Sequence, residues 1–271
     1  METRTFHHPS AGIEWYCELR GSGPAIVLIP SGEGDCGNFA AVAEALADEF
    51  TVLTFDTPGF SRSAAPPESG AISALKLADQ IAALVSSLSL APAAFYGCSS
   101  GGIAALSLAA DHPELVRNAI VHEAALVQDY AWPDRAEELR ALTALDDAGI
   151  VEVCKYLYRN QMNNDPQAWD ALSPEYHQRL ERNYVTWVRH YLADNAQIPS
   201  YSAEQLSRRP IAWSIGGFSP VWFGISNLRV AQRADIEVEI FKCRHFPQVE
   251  IPDVLASHIR KHARAHIRLS A

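Results

Sequence analysis

Short apolar runs, each followed by a stretch of helical spacing, constrain this chain more than any other feature. Ile13 to Glu18 and Ala25 to Ile29 read as strands. Phe50 to Phe55 follows a helical pattern built on Ala40 to Ala47. Leu75 to Leu88 has helical spacing and leads into a strand at Ala93 to Tyr96; Gly101 to Ala110 reads as a helix, and Asn118 to Val121 as the next strand. Alternation of this kind implies a parallel sheet covered by helices on both faces. It breaks at about Ala124, and from there to Ser207 only helical patterns and turns occur. Strands resume at Ile211 to Ile215 and Ile236 to Phe241, and Pro252 to Arg268 reads as a closing helix. The expected architecture is an α/β core made of residues 1–124 and 208–271, with a helical cap, residues 125–207, inserted after the sixth strand.

A chain of 271 residues suits one large domain, or a domain with one sizeable insertion. Apolar residues make up 48% and charged residues 20%, so disorder is excluded as the main state. The net charge of −10 argues against nucleic acid and anionic membrane surfaces as partners. Five scattered cysteines, with no CxxC pair, argue against a disulfide framework or a zinc knuckle. Met1 to Ser10 is polar and predicts no signal peptide, and no apolar run is long enough to span a bilayer. A cytoplasmic location is the expectation. Seven of the nine tyrosines and three of the six tryptophans fall between residues 125 and 207. That enrichment suits an apolar cavity above the sheet, since amphipathic rings line small-molecule sites.

The chemistry is carried by Gly97-Cys98-Ser99-Ser100-Gly101, placed between a strand and a helix. G-x-S-x-G in that context sets the serine on a sharp turn, with glycines where strand and helix nearly collide. Ser99 is therefore the expected nucleophile, and Cys98 should point into packing. A carboxylate nucleophile of the haloalkane dehalogenase or epoxide hydrolase kind is excluded by the serine. The serine needs a base, and His245 follows the last strand where such a base belongs. His258, His262 and His266 recur every fourth residue on the closing helix beside Arg260, Lys261 and Arg264, and read as a solvated face, so no metal is expected. The base needs an orienting acid. The loop after the seventh strand, Ser214 to Pro220, contains none. Glu123, at the end of the sixth strand, takes that role, with Asp129 as the alternative. The oxyanion donors expected are the N–H groups of Ser100 and Gly32. Asp56 to Ser63 reads as a structural turn.

With these residues in place, the chain resembles the zearalenone hydrolases, α/β-hydrolase lactonases that open a macrocyclic ester. The resemblance rests on Gly12-Ile13 with Trp15-Tyr16, Phe55-Asp56 with Pro58-Gly59, the Gly97 to Gly101 elbow, His122-Glu123, Asn183-Tyr184 with Trp187, and His245-Phe246-Pro247 with Pro252-Asp253-Val254. It implies Ser99, Glu123 and His245 as a catalytic triad, Gly32 and Ser100 as oxyanion positions, and Trp187 and Tyr191 as substrate-facing aromatics. Ser31 and Phe223 are expected beside them. It implies no cofactor, an apolar lactone as substrate, and allows a homodimer. Two departures are evident: Ser31 stands where the family has aspartate, and Arg244 precedes the histidine where an apolar residue occurs. Both are expected near the pocket. The rivals are an esterase, smaller-lactone or C–C bond hydrolase with the same chemistry, and a receptor that keeps a hydrolase pocket.

Overall fold

The structure is a computed structural model of the chain, and it describes residues 2–65, 73–126, 135–192 and 200–267. Its strands are β1 (Arg4–Ser10), β2 (Ile13–Arg20), β3 (Ala25–Ile29), β4 (Thr51–Phe55), β5 (Ala93–Cys98), β6 (Val116–His122), β7 (Ile211–Gly216) and β8 (Val238–Phe241). They form one sheet in the order β1-β2-β4-β3-β5-β6-β7-β8. From β4 to β8 every pairing is parallel, while β1–β2 and β2–β4 are antiparallel. The three central strands β3, β5 and β6 are buried along their whole length. That explains their continuous apolar character, since both faces are covered.

The helices are α1 (Ala40–Leu46), α2 (Ala74–Ser87), α3 (Ser100–Asp111), α4 (Arg135–Thr143), α5 (Asp147–Tyr156), α6 (Pro166–Asp170), α7 (Pro174–Thr186), α8 (Ala203–Ser207), α9 (Val221–Gln232), α10 (Pro247–Glu250) and α11 (Pro252–Ala265). Alternate residues of each strand feed two cores. Ala25, Val27 and Ile29 pack with α2 and α3, whereas Ile26 and Leu28 pack with α1, α11 and residues of the helices after β6. Helices α4 to α8 lie between β6 and β7 in the chain, and the described residues of that stretch contain no strand. No helix among the described residues is long and apolar enough to cross a membrane.

Two strand boundaries differ from the sequence reading. β1 has no apolar run to announce it: it sits at the sheet edge, half exposed, and pairs with β2 from Arg4–Leu19 to Ser10–Ile13. The intervening Ala11 and Gly12 both have positive φ, 52° and 76°, which suits a two-residue hairpin turn. β8 begins at Val238 rather than Ile236, because the Ile236 N–H donates to the Ala231 carbonyl and closes α9.

Helix α7 is pinned to the loops at the carboxyl edge of the sheet. Asp35, fully buried, accepts hydrogen bonds from Arg179 Nε (2.6 Å), Arg179 Nη2 (3.1 Å) and the Ser61 hydroxyl (2.6 Å). Burial works against its charge, but those bonds and the nearby Arg62 hold its pKa below the usual range. Asn183 of the same helix donates to the Glu33 carbonyl (2.7 Å) and accepts from the Ser61 N–H (2.9 Å). Asp56 binds Arg62 through both oxygens (2.6 and 2.9 Å) and accepts the Cys36 N–H, so the turn it starts is structural.

The crossing of β5 and α3 is closer than side chains permit. A Cβ on Gly97 would lie 2.0 Å from the Gly101 carbonyl oxygen and 2.7 Å from the Gly102 nitrogen. Both are backbone atoms, so relief requires moving the helix. Gly97→Ala should therefore cost about 3 kcal/mol of stability by overpacking. Gly224→Ala, whose Cβ would meet only Ile215 Cδ1 at 3.6 Å inside α9, should gain up to about 1 kcal/mol from helix propensity. Urea denaturation of both variants checks this; equal midpoints would contradict the collision.

Candidate active site

The same crossing builds the turn at Ser99. Ser99 has φ 57° and ψ −122°, a conformation L-residues rarely adopt. Three backbone bonds hold it there. Its N–H donates to the His122 carbonyl (3.1 Å), and its carbonyl accepts from Ala125 (3.1 Å) and Ile103 (3.2 Å). Ser100 is the first residue of α3, so its N–H has no acceptor within the helix. Cys98 is buried, and its thiol donates to the His245 carbonyl at 3.0 Å.

Glu123 follows β6 directly and is also strained, with φ 41°. Its N–H donates to the Ser214 carbonyl (3.1 Å). Its carboxylate is fully buried and accepts three hydrogen bonds: Gly216 N–H at 2.7 Å, Ser219 hydroxyl at 2.9 Å and His245 Nδ1 at 2.7 Å. Burial opposes the charge, yet the histidine and serine bonds bring its pKa below the ordinary carboxylate value. The loop Ser214 to Pro220, which has no acid of its own, thus supplies the donors that hold the acid of β6. Asp129, the alternative acid, lies outside the described residues, as do Tyr130 and Trp132.

An ionised carboxylate beside Nδ1 places the imidazole proton there and leaves Nε2 as the basic nitrogen. His245 is buried, its N–H donates to the Met162 carbonyl (3.1 Å), and its ring stacks on Phe223 at 4.3 Å. Nε2 has no hydrogen-bond partner among the described residues. Ser99 and His245 line one cavity without a hydrogen bond between them. Separation of this kind is common before substrate binds. His122, the residue before Glu123, is fully buried between Ser214 (Nδ1 to Oγ, 2.9 Å) and the face of Phe241. Burial holds its pKa down to about 4, so it is a neutral packing element.

The cavity has a volume of about 410 Å³, and Ser31, Gly32, Ser100, Trp187, Tyr191 and Phe223 all line it. Trp187 lies on Gly32: a Cβ there would come 2.7 Å from the indole Nε1. Burial pushes the Tyr191 phenol pKa upward. The Ser31 hydroxyl donates to Glu33, which also accepts from Asn38 (2.8 Å). Burial pushes the Glu33 carboxyl upward despite these bonds.

Sequence reasoning did not single out Tyr158, Met162, Trp222 and Phe246 as lining residues. Tyr158 and Trp187 lie in two π-helical turns, Leu157–Gln161 and Trp187–Tyr191, that extend α5 and α7. Arg244 lies beside the cavity, as expected, without lining it: its guanidinium donates to the carbonyls of Asn160 (2.6 Å), Asn163 (3.3 Å) and Gln161 (3.4 Å), the last a lining residue. The histidines of α11 are a correction. His258 is buried rather than solvated, because its ring packs edge-on against Phe241.

Comparison with known proteins identifies the family. The alpha/beta hydrolase fold family matches residues 24–252. A zearalenone hydrolase of Bionectria ochroleuca is 33% identical over 272 residues, covering 98% of this chain and all of that protein. A second, from Cladophialophora bantiana, is 36% identical over 259 residues, covering 94% and 95%. Among solved structures, a thermophilic esterase from Thermogutta terrifontis superimposes with a TM-score of 0.75 at 21% identity, covering 97% of this chain and 99% of that one. It supports the fold alone. The chain belongs to the zearalenone hydrolase family of the α/β-hydrolases, and is a hydrolase.

Proposed function

We propose that the chain is a serine hydrolase that opens the macrocyclic ester of zearalenone-like resorcylic lactones through an acyl-enzyme. The observation that carries the reading is the 2.7 Å bond between a buried, ionised Glu123 and His245 Nδ1. It leaves a basic Nε2 in the cavity that Ser99 lines. The names of the two full-length relatives supply the substrate class. Residues 125–207 act as a cap on the core of residues 1–124 and 208–271, and Trp187, Tyr191 and Phe223 face the substrate.

His245 takes the Ser99 proton as the serine oxygen bonds to the lactone carbonyl carbon. The Ser100 and Gly32 N–H groups hold the resulting oxyanion. The C–O bond of the ring breaks, and His245 returns the proton to the leaving alcohol, which stays attached through the rest of the opened ring. Water, deprotonated by His245, then releases the carboxylic acid and regenerates Ser99.

Purified protein should consume zearalenone by chromatography, and Ser99→Ala should lower kcat about 10⁶-fold. If zearalenone persists while a nitrophenyl ester is cleaved in a Ser99-dependent way, the substrate is wrong and the serine chemistry stands. Glu123→Gln removes the anion that fixes the tautomer of His245. It should lower kcat about 10⁴-fold with an unchanged circular dichroism spectrum. Activity within about tenfold of the parent would remove Glu123 from the mechanism.

A further inference from the structure

At the edge of the sheet, away from the cavity lining, β8 and α11 bring Glu239, His258 and His262 together. The two histidines are four residues apart on α11, so their rings share one helix face. Glu239 lies against both: Oε2 is 3.3 Å from His258 Nδ1, and Oε1 is 3.5 Å from His262 Nε2. One donor atom from each residue falls within 4.8 Å of the others.

Two features separate this cluster from a chance gathering of polar groups. The His258 side chain is only 4% exposed, and neither of its ring nitrogens makes a hydrogen bond; His262 Nε2 makes none either. Buried imidazole nitrogens are normally satisfied, because leaving them bare is costly. The spacings also have a chemical meaning. Bonds of 2.0–2.2 Å from a tetrahedral ion place neighbouring donor atoms ~3.3 Å apart. Glu239 stands off both rings at about that distance, too badly aligned for a hydrogen bond to His258.

We propose that Glu239, His258 and His262 form a binding site for a divalent transition ion of the zinc class. Two imidazoles and one carboxylate suit zinc or nickel, whereas magnesium and calcium favour all-oxygen sites. The Glu239 side chain is 44% exposed, so water can complete the coordination. The ion would fasten the edge strand β8 to the closing helix. One group competes with it: Lys261 Nζ lies 3.1 Å from Glu239 Oε1. That side chain is 68% exposed and can swing into solvent.

Isothermal titration of tag-free, chelator-treated protein with zinc or nickel chloride tests the site. The expected result is one ion per chain and a raised melting temperature, with no response to magnesium. Glu239→Gln and His262→Gln change partly exposed groups, so their metal-free melting temperatures should stay near that of the parent. Each should weaken binding at least about tenfold. Lys261→Gln should tighten it by removing the competing cation. Absence of saturable binding, or one-to-one binding that survives both ligand substitutions, would overturn the proposal. These readouts do not depend on turnover, so they stand apart from the fate of the proposed lactonase activity.

Discussion

The near-collision of β5 with α3 is the constraint on which the rest of the site depends. Gly97 touches Gly101 backbone to backbone, and a Cβ on Gly101 would fall 2.6 Å from the carbonyl oxygens of both Ile29 and Pro30. Three elements therefore converge with no side chain between them. The chain can pass from strand to helix there only through a strained residue, and Ser99 carries that strain. A conformation of this kind costs of order 1–3 kcal/mol and persists only when its surroundings over-determine it. The surroundings come from β6: His122 accepts the Ser99 N–H, and Ala125 donates to its carbonyl. Glu123, the second strained residue, lies between those two partners. The serine and the carboxylate are thus positioned by one short piece of backbone, and neither can shift without the other.

Burial alone does not decide the state of the carboxyl groups near the cavity. Glu33 and Glu123 are both fully buried, yet their acidities move in opposite directions. Glu123 receives a backbone N–H, a hydroxyl and an imidazole N–H, which together outweigh desolvation. For Glu33, the Ser31 and Asn38 side chains and its own backbone N–H do not offset burial, and Asp35 is nearby, so desolvation prevails. Carboxyls driven apart in this way mark which one can serve as an anion. Only Glu123 combines a retained charge with contact to His245.

What was legible in the sequence follows the same physics. The central strands announce themselves because burial on both faces demands apolar residues throughout, and the elbow because only glycine fits at 97 and 101. β1 was hidden because an edge strand with one half-exposed face needs no apolar run, and its His7-His8-Pro9 reads as polar chain. Glu123 could be located by the lack of an acid in Ser214 to Pro220, but its donors could not, since Gly216 and Ser219 are indistinguishable from other turn residues. His258 was misplaced because charge and helical spacing say which residues are polar, not whether an aromatic edge will draw them inside. The π-helical turns at Tyr158 and Trp187 leave no mark in residue spacing at all.

The Trp187 wall of the cavity is held by polar side chains that do not line it. Arg179 and Asn183 dock α7 onto Asp35, Ser61 and the Glu33 carbonyl, all in loops at the carboxyl edge of the sheet. The helix runs on into the turn that begins at Trp187, and the indole comes to rest on Gly32. Glycine at 32 is therefore required twice in the proposed reading, once to bring its N–H to an oxyanion and once to seat the ring. Glu33 sits between these functions: its carbonyl receives Asn183 while its carboxyl takes the Ser31 hydroxyl. Removing a partner from a buried charged network of this kind costs several kcal/mol. Displacement of α7 would carry Trp187 off Gly32. The loop from Ser31 to Asp35 is thus the hinge through which the placement of the aromatic wall and the shape of the oxyanion turn are set together.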